Sequence, residues 1–498
     1  MLGLVLTAGG ARGAYQAGVL ARLGEVPGLA DRPAPFAIIA GASAGAINGA
    51  LLAARGARFG EATRELARIW SSLRVEDVFA SDGCSLARAG AALAFDFTLG
   101  ALLGRTRTHG LLDTAPLAGL LEREFPSRGI AEGIRRGRLY AVAVSATSYH
   151  SGRSFTFVEG RPGHPVWAKS RRLVLPVTLS SRHVLASSSI PIVFPPVRVS
   201  SQAGDLWFGD GGLRLVTPLS PAIRLGATHI LSIGVRSSRA ADTLAREEFG
   251  ASPGEGLPRL PCPPLAQVTG VFLNAIFLDH LDADLDHLAR MNEIVASGRR
   301  DTAGSRTSEP IRSVAPLVVS PSEDLALVAQ RFAHRMPRVV RYLREGLGTP
   351  DAQSADLMSY LLFDAAYTRT LVELGHRDAD ARIAELEAFL RRAPPFTGAE
   401  TTARPARVAR PGVAARRSTL VSPTHCPEPC PDPLGGVDLQ VPGGVHPPAE
   451  SGSRVIDPPR RDSLYLPQGG ERMGRTGVSG RGSSERIPLE CVCVARSR

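Results

Sequence analysis

Short apolar runs alternate with glycine-rich turns at the start of this chain. Gly3 to Thr7 is apolar, breaks at Ala8-Gly9-Gly10-Ala11-Arg12-Gly13, and resumes as Ala14 to Gly24 with helix-forming composition. The order then repeats: an apolar run from Phe36 to Ala40, the turn Gly41-Ala42-Ser43-Ala44-Gly45, and a second small-residue helix. Apolar runs bounded by turn residues read as buried strands. Two strand–turn–helix units within residues 2–54 predict an α/β fold with a mainly parallel central sheet. Residues 60–73 place Ala62, Leu66, Ile69 and Leu73 on one helical face. Leu139 to Ala146 reads as a buried strand and Ser154 to Glu159 as its alternating partner. Thr228 to Val235 and Val314 to Val319 add two more apolar strands.

Helices are predicted from a cap at Asp113 or Thr114 to Phe125, over Pro218 to Leu225 and over 264–296, and His183 to Ser189 reads as a short helix or turn. Glu323 to Arg392 is helical by pattern throughout, with a break near Gly346 to Pro350. Residues 84–105 mix leucine and phenylalanine with many alanines and glycines, and two readings stand: a helical insertion over the core, or a lid that touches membrane. After Pro394 periodicity stops, and proline and glycine exceed a quarter of the residues. Such a segment buries too little apolar area to offset its ordering entropy, so 395–498 is expected to be disordered. The chain is thus expected to divide into an α/β domain at 2–235, a linker at 236–263, a helical region at 264–394 and the tail.

Charge and composition narrow the function class only modestly. The net charge of +11 is carried by arginine, since Lys169 is the only lysine. No dense basic stripe interleaved with aromatics appears, which argues against nucleic acid as a partner. A basic balance suits an anionic membrane surface. The N-terminus lacks the positive start of a signal peptide, and no run of 18 apolar residues exists, so a cytoplasmic protein, peripheral at most, is expected. The six cysteines are scattered, and Cys426-Pro-Glu-Pro-Cys430 has no second pair at zinc-site spacing. Asp282, Asp284, Asp286 and Glu293 mimic a calcium loop, but His287 stands where glycine is needed, and leucines keep helical spacing through the stretch. His280, Asp284 and His287 likewise fall on one helical face. No metal or cofactor is expected. Tyr342, Leu343, Leu361, Leu362 and Phe363 read as helix core rather than as a lipid groove.

The chemistry lies in the two turns. Ser43 in Gly-x-Ser-x-Gly, between a buried strand and a helix, has the context of a nucleophile elbow, with Gly41 and Gly45 permitting the tight reversal. The turn at Gly9, Gly10, Ala11, Arg12 and Gly13 exposes backbone N–H groups that can cradle a phosphate or an oxyanion. A nucleotide fits poorly. No Gly-Lys-Ser/Thr follows, the first position of a dinucleotide fingerprint is Ala8, and Ile39-Ala40 stand where its acidic residue belongs. A nucleophilic serine also needs a base. No histidine sits in a hydrolase-like motif, whereas Asp210 lies on the tight turn Gly209-Asp210-Gly211-Gly212 after Trp207 and Phe208.

These motifs, in this order, resemble the patatin-like phospholipase family. So do Gly13-Ala14-Tyr15-Gln16-Ala17-Gly18-Val19-Leu20 and Ser189-Ile190-Pro191 before Phe194-Pro195-Pro196. The likeness spans residues 2–235 and extends, less specifically, to the helices at 264–392. It implies a three-layer α/β fold related to the α/β-hydrolases and metal-independent hydrolysis of phospholipid or other acyl-ester lipid by a Ser–Asp dyad. Carried over, Ser43 is the nucleophile, Asp210 the base, and the amides of Gly9, Gly10 and Ala11 the oxyanion hole. Arg12 fills the family's basic position, to brace the loop or to meet a lipid phosphate. A soluble ester or thioester substrate, or a silent lipid-binding scaffold, are the alternatives. One departure stands out: Ala8 replaces the first of three glycines, a change that costs about 1 kcal/mol or more if that position needs positive φ.

Overall fold

In the computed structural model the apolar runs become neighbouring strands of one sheet. The structure describes residues 1–80, 95, 110–169, 171–201, 204–237, 280–297, 312–336 and 355–396. Most of the 84–105 stretch, nearly all of the 236–263 connection, residues 264–279, Tyr342 and Leu343, the tail beyond Phe396 and all six cysteines lie outside these described residues. Ten described strands run in chain order: β1 (Leu2–Leu6), β2 (Ile38–Ala42), β3 (Ala141–Ser148), β4 (Ser154–Gly160), β5 (Ala168–Lys169), β6 (Arg172–Pro176), β7 (Val197–Ser201), β8 (Gly204–Gly209), β9 (His229–Ile233) and β10 (Ala315–Val319).

The order β10-β9-β1-β2-β3 is parallel throughout. β1, β2 and β3 are buried along their whole length, which is why they read as continuous apolar runs. β4 pairs antiparallel with β3 from Ala141↔Gly160 to Thr147↔Ser154. β6 and the short β5 finish that edge. The hairpin of β7 and β8 turns back so that Gly209 and Phe208 pair with Thr147 and Ser148, at the C-terminal end of β3. β5 to β8 carry no strand pattern of their own, because two are short or half-exposed edges and the hairpin depends on its pairing with β3.

Helices cover both faces of the sheet. On one side lie α1 (Gly13–Gly24), α2 (Ala44–Arg55), α3 (Phe59–Ser72), α4 (Ala115–Glu124), α5 (Arg128–Arg135) and α6 (Ser181–Ser187). On the other lie α7 (Ser220–Leu225) and α8 (His280–Ala296). Alternate strand residues feed the two cores: Leu4, Leu6 and Ile39 face the first, Val5, Ile38 and Ala40 the second. The result is a helix–sheet–helix sandwich. α8 is continuous through the acidic stretch. Its Asp284 points inward and accepts the Leu219 N–H at 2.8 Å, securing the start of α7. Among the described residues no three His, Cys, Asp or Glu side chains group to hold a metal ion, and no helix is long and apolar enough to cross a membrane.

The C-terminal segments join the same body. β10 extends the sheet beside β9, followed by α9 (Leu325–Gln330), α10 (Ala355–Leu361), α11 (Ala365–Ala381) and α12 (Ile383–Arg392). Asp364 caps α11 by accepting the Ala366 N–H at 3.0 Å. α11 meets α1 backbone to backbone: a Cβ on Gly18 would lie 2.0 Å from the Val372 carbonyl, and one on Gly375 2.1 Å from that of Tyr15. Beside this crossing the Tyr15 hydroxyl donates to Asp378 Oδ2 at 3.0 Å.

Candidate functional site

Ser43 sits between β2 and α2 with φ 55° and ψ −127°. A non-glycine residue in this region stores about 1–3 kcal/mol of strain, so its surroundings must impose the conformation. Two serines near the end of α6 do so. Ser187 Oγ accepts the Ser43 N–H at 3.0 Å while donating to the Ser145 carbonyl at 2.5 Å. Ser188 Oγ reaches the Ser43 carbonyl at 3.2 Å. The flanking glycines are steric necessities: a Cβ at Gly41 would lie 2.3 Å from the Gly45 carbonyl oxygen, and one at Gly45 2.2 Å from that of Leu6.

The other turn follows β1. Gly10–Arg12 form a single 3-10 turn that runs straight into α1, closed by the Arg12 N–H donating to the Gly9 carbonyl at 3.1 Å. The first N–H groups of such a helix start have no intrahelical acceptors and face outward as donors. Gly10 has φ +56°, and Ala8 is not among the positive-φ residues. The left-handed position therefore falls on a glycine, and alanine at position 8 carries no backbone strain. A buried amide network fixes this turn relative to the elbow. Gln16 Nε2 donates to the carbonyls of Thr7 and Ile233, Asn48 Nδ2 donates to those of Gly13 and the Gln16 side chain, and Trp70 Nε1 donates to Asn48 Oδ1 at 2.6 Å.

Asp210 is fully buried on the turn after β8. Its backbone N–H donates to the Ser189 carbonyl at 2.8 Å, and its carbonyl accepts from Thr147 Oγ1 at 2.8 Å. Its Oδ1 accepts the Gly212 N–H at 2.7 Å. Burial pushes the carboxyl pKa up to about 7, opposed by hydrogen bonding from the Ser43 hydroxyl and from the Gly212 N–H. Oδ2 is sealed from solvent and has no partner of full hydrogen-bond geometry. The Ser43 hydroxyl lies within reach of this carboxyl and lowers its pKa. Catalytic hydrogen bonds are often long or misaligned before substrate binds.

An apolar pocket enclosing about 610 Å³, solvent at its mouth included, opens against Ser43 and Gly10. Ile47, Leu51, Trp70, Leu121, Ile190 and Phe194 are among its walls. Phe363 lies in the core as expected, with Leu361 and Leu362, and lines this pocket as well. A second space, about 440 Å³, borders Ala8, Gly41 and Gly212 from the α8 side, but Ser43 does not line it. His183 is engaged elsewhere: its Nδ1 meets the Ser180 hydroxyl at 2.8 Å, its ring stands edge-on to Phe157, and burial lowers its pKa to about 4.

The structure thus brings Ser43 and Gly10 to one pocket, flanked in the same turn by Gly9 and Ala11, with the Asp210 carboxyl beside Ser43. Arg12 is different. Its side chain is buried and turns toward α10 rather than lining the pocket. Residues 4–223 match the model of the patatin-like phospholipase family. The chain carries a patatin-like phospholipase domain. That family is one of lipid hydrolases, and the mostly parallel sheet flanked by helices is the fold expected of it. No curated protein sequence matches the chain.

Solved structures with partial likeness to this chain include VipD from Legionella pneumophila, at 12% identity over 74% of this chain and 66% of that one, with a TM-score of 0.24. Human GIVD cytosolic phospholipase A2 in complex with methyl gamma-linolenyl fluorophosphonate matches at 13% identity over 78% and 59%, with a TM-score of 0.35. The type III effector ExoU of Pseudomonas aeruginosa matches at 15% identity over 72% and 73%, with a TM-score of 0.21. The chain spans less than two thirds of the length of the first two. Scores this low add nothing to the assignment, which rests on the family match.

No feature of the sequence singled out Ser187 and Ser188 as supports of the elbow, or Asp356, Ser359 and Tyr360 as neighbours of Arg12. The nearest signal was Ser189-Ile190-Pro191, adjacent to the two serines.

Proposed function

We propose that this chain is a lipid acyl hydrolase of phospholipase A or lysophospholipase type, working through Ser43 and Asp210 at a membrane surface. The observation that carries this reading is a strained, buried serine lining an apolar pocket beside a buried carboxyl whose pKa is pushed up to about 7. In its ionised form Asp210 takes the proton from Ser43 Oγ as that oxygen attacks the ester carbonyl. The tetrahedral oxyanion is stabilised by the amides of Gly9, Gly10 and Ala11 and by the N-terminus of α2. Collapse expels the alcohol, which takes the proton from Asp210, and leaves an acyl group on Ser43. Asp210 then deprotonates a water that attacks the acyl-enzyme, releasing the fatty acid and restoring the Ser43 hydroxyl. The apolar pocket suits an acyl chain, each buried methylene contributing about 0.8 kcal/mol. On this reading the rate is indifferent to chelator.

A fluorophosphonate probe and product analysis on phospholipid, lysophospholipid, neutral glyceride and a soluble ester test the proposal together. Wild-type protein labels at Ser43 and releases fatty acid, whereas Ser43→Ala and Asp210→Asn fall to background while remaining folded. Hydrolysis retained in Ser43→Ala would falsify the assignment. Turnover confined to the soluble ester would remove the lipid from it.

A further inference from the structure

The family match ends at residue 223, yet the glycine turn is held by side chains more than 340 positions away in sequence. Arg12 is 2% exposed. Its Nε donates to Ser359 Oγ at 2.8 Å, its Nη2 pairs with Asp356 Oδ1 at 3.0 Å, and its guanidinium lies 4.5 Å above the centre of the Tyr360 ring. Burial works against the charge, but Tyr360, Tyr367, Asp356 and Asp324 outweigh it and hold the group firmly protonated. The Tyr360 carbonyl backs directly onto Gly10, where a Cβ would lie 2.5 Å from its oxygen. Three residues later Phe363 enters the pocket wall beside Ser43 and Gly10, and α11 then locks onto α1 through Gly18 and Gly375.

We infer that Arg12 is a positioning residue for the glycine turn rather than a ligand for lipid phosphate, and that Asp356, Ser359 and Tyr360 of α10 form the other half of the clamp. The inference rests on the acyl-hydrolase reading for its effect on rate. Donor amides serve an oxyanion only when held within about 0.5 Å of their productive place. Two adjacent glycines supply two of the three donors and also the loosest backbone available. A buried charge-assisted hydrogen bond, an ion pair and a ring stacked on the guanidinium remove that looseness from behind, without entering the pocket. The part of the chain beyond the family match is, on this account, needed for a competent site.

The test compares Arg12→Lys, Asp356→Asn, Ser359→Ala and Ser359→Thr with wild type in the full chain. Turnover is measured on a p-nitrophenyl ester and on phosphatidylcholine vesicles, and hydrogen exchange is followed in the peptide spanning residues 8–14. The first three variants lower kcat by about 10- to 100-fold on both substrates with KM within about twofold, as expected when donors are displaced rather than binding lost. Ser359→Thr keeps the hydroxyl and recovers most of the rate. Exchange in the 8–14 peptide quickens about tenfold in the same three variants, with unfolding midpoints near wild type. A loss confined to the vesicles and appearing in KM assigns Arg12 to phosphate and overturns the inference, as does unchanged exchange. If wild type shows no Ser43-dependent hydrolysis, the hydrolase reading falls, and the exchange measurement still decides the clamp.

Discussion

Asp210→Asn separates what the buried carboxyl does for activity from what it costs the fold. The wild-type group rises from 3.8 to about 7 because burial penalises its ionised form. Between those values the folded protein holds a proton that the unfolded chain has released. Stability from this group is therefore fully present below about pH 4 and is lost as pH rises through about 7. At roughly 1.4 kcal/mol per pH unit the whole loss amounts to about 4 kcal/mol. Asparagine keeps an Oδ1 acceptor for the Gly212 N–H, now 2.7 Å away, and carries no charge at any pH. Urea denaturation of both proteins at about pH 4 and pH 8 isolates the effect of this carboxyl, since all other titrating groups are shared. The variant should match wild type at the lower pH and exceed it by as much as about 4 kcal/mol at the higher, while losing ester hydrolysis at both. An equal gap at the two pH values, or a variant destabilised at pH 8, would refute a buried carboxyl that ionises at a cost.

The same pKa sets the wild-type rate profile: kcat/KM should fall about tenfold per pH unit below an inflection near 7, as the base is protonated. A histidine is the usual suspect for such an inflection, but His183 is pushed down to about 4, so His183→Gln should leave the inflection in place; its movement would implicate the imidazole. Gly45→Ala places a methyl 2.2 Å from the Leu6 carbonyl oxygen, with nothing flexible to yield. It should cost about 2–3 kcal/mol of stability and abolish fluorophosphonate labelling, read by denaturation midpoint and gel; a normally stable, labelled variant would show that the elbow has room.

The glycine turn, the serine elbow and the parallel sheet around them were legible because each is local. A strand that reverses into a helix within a few residues must use small side chains, and strands covered on both faces must be apolar throughout. Gly41, Gly45 and the runs before them follow from those rules. Ala8 shows their limit: the family resemblance raised the question of a left-handed residue there, and only the backbone could place it, at Gly10 instead. The Asp210 turn was visible as a glycine-flanked carboxylate, but its pKa depends on burial supplied by the whole hairpin and sheet. Phe363 lies in an apolar stretch that reads alike for core and for groove. Arg12 and Ser359 stand 347 positions apart, and no periodicity links them. The pairing exists because Gly18 and Gly375 let α1 and α11 touch, which brings α10 against the turn. Local backbone geometry wrote the motifs into the sequence, whereas burial, charge state and the clamp on the oxyanion turn come from long-range packing.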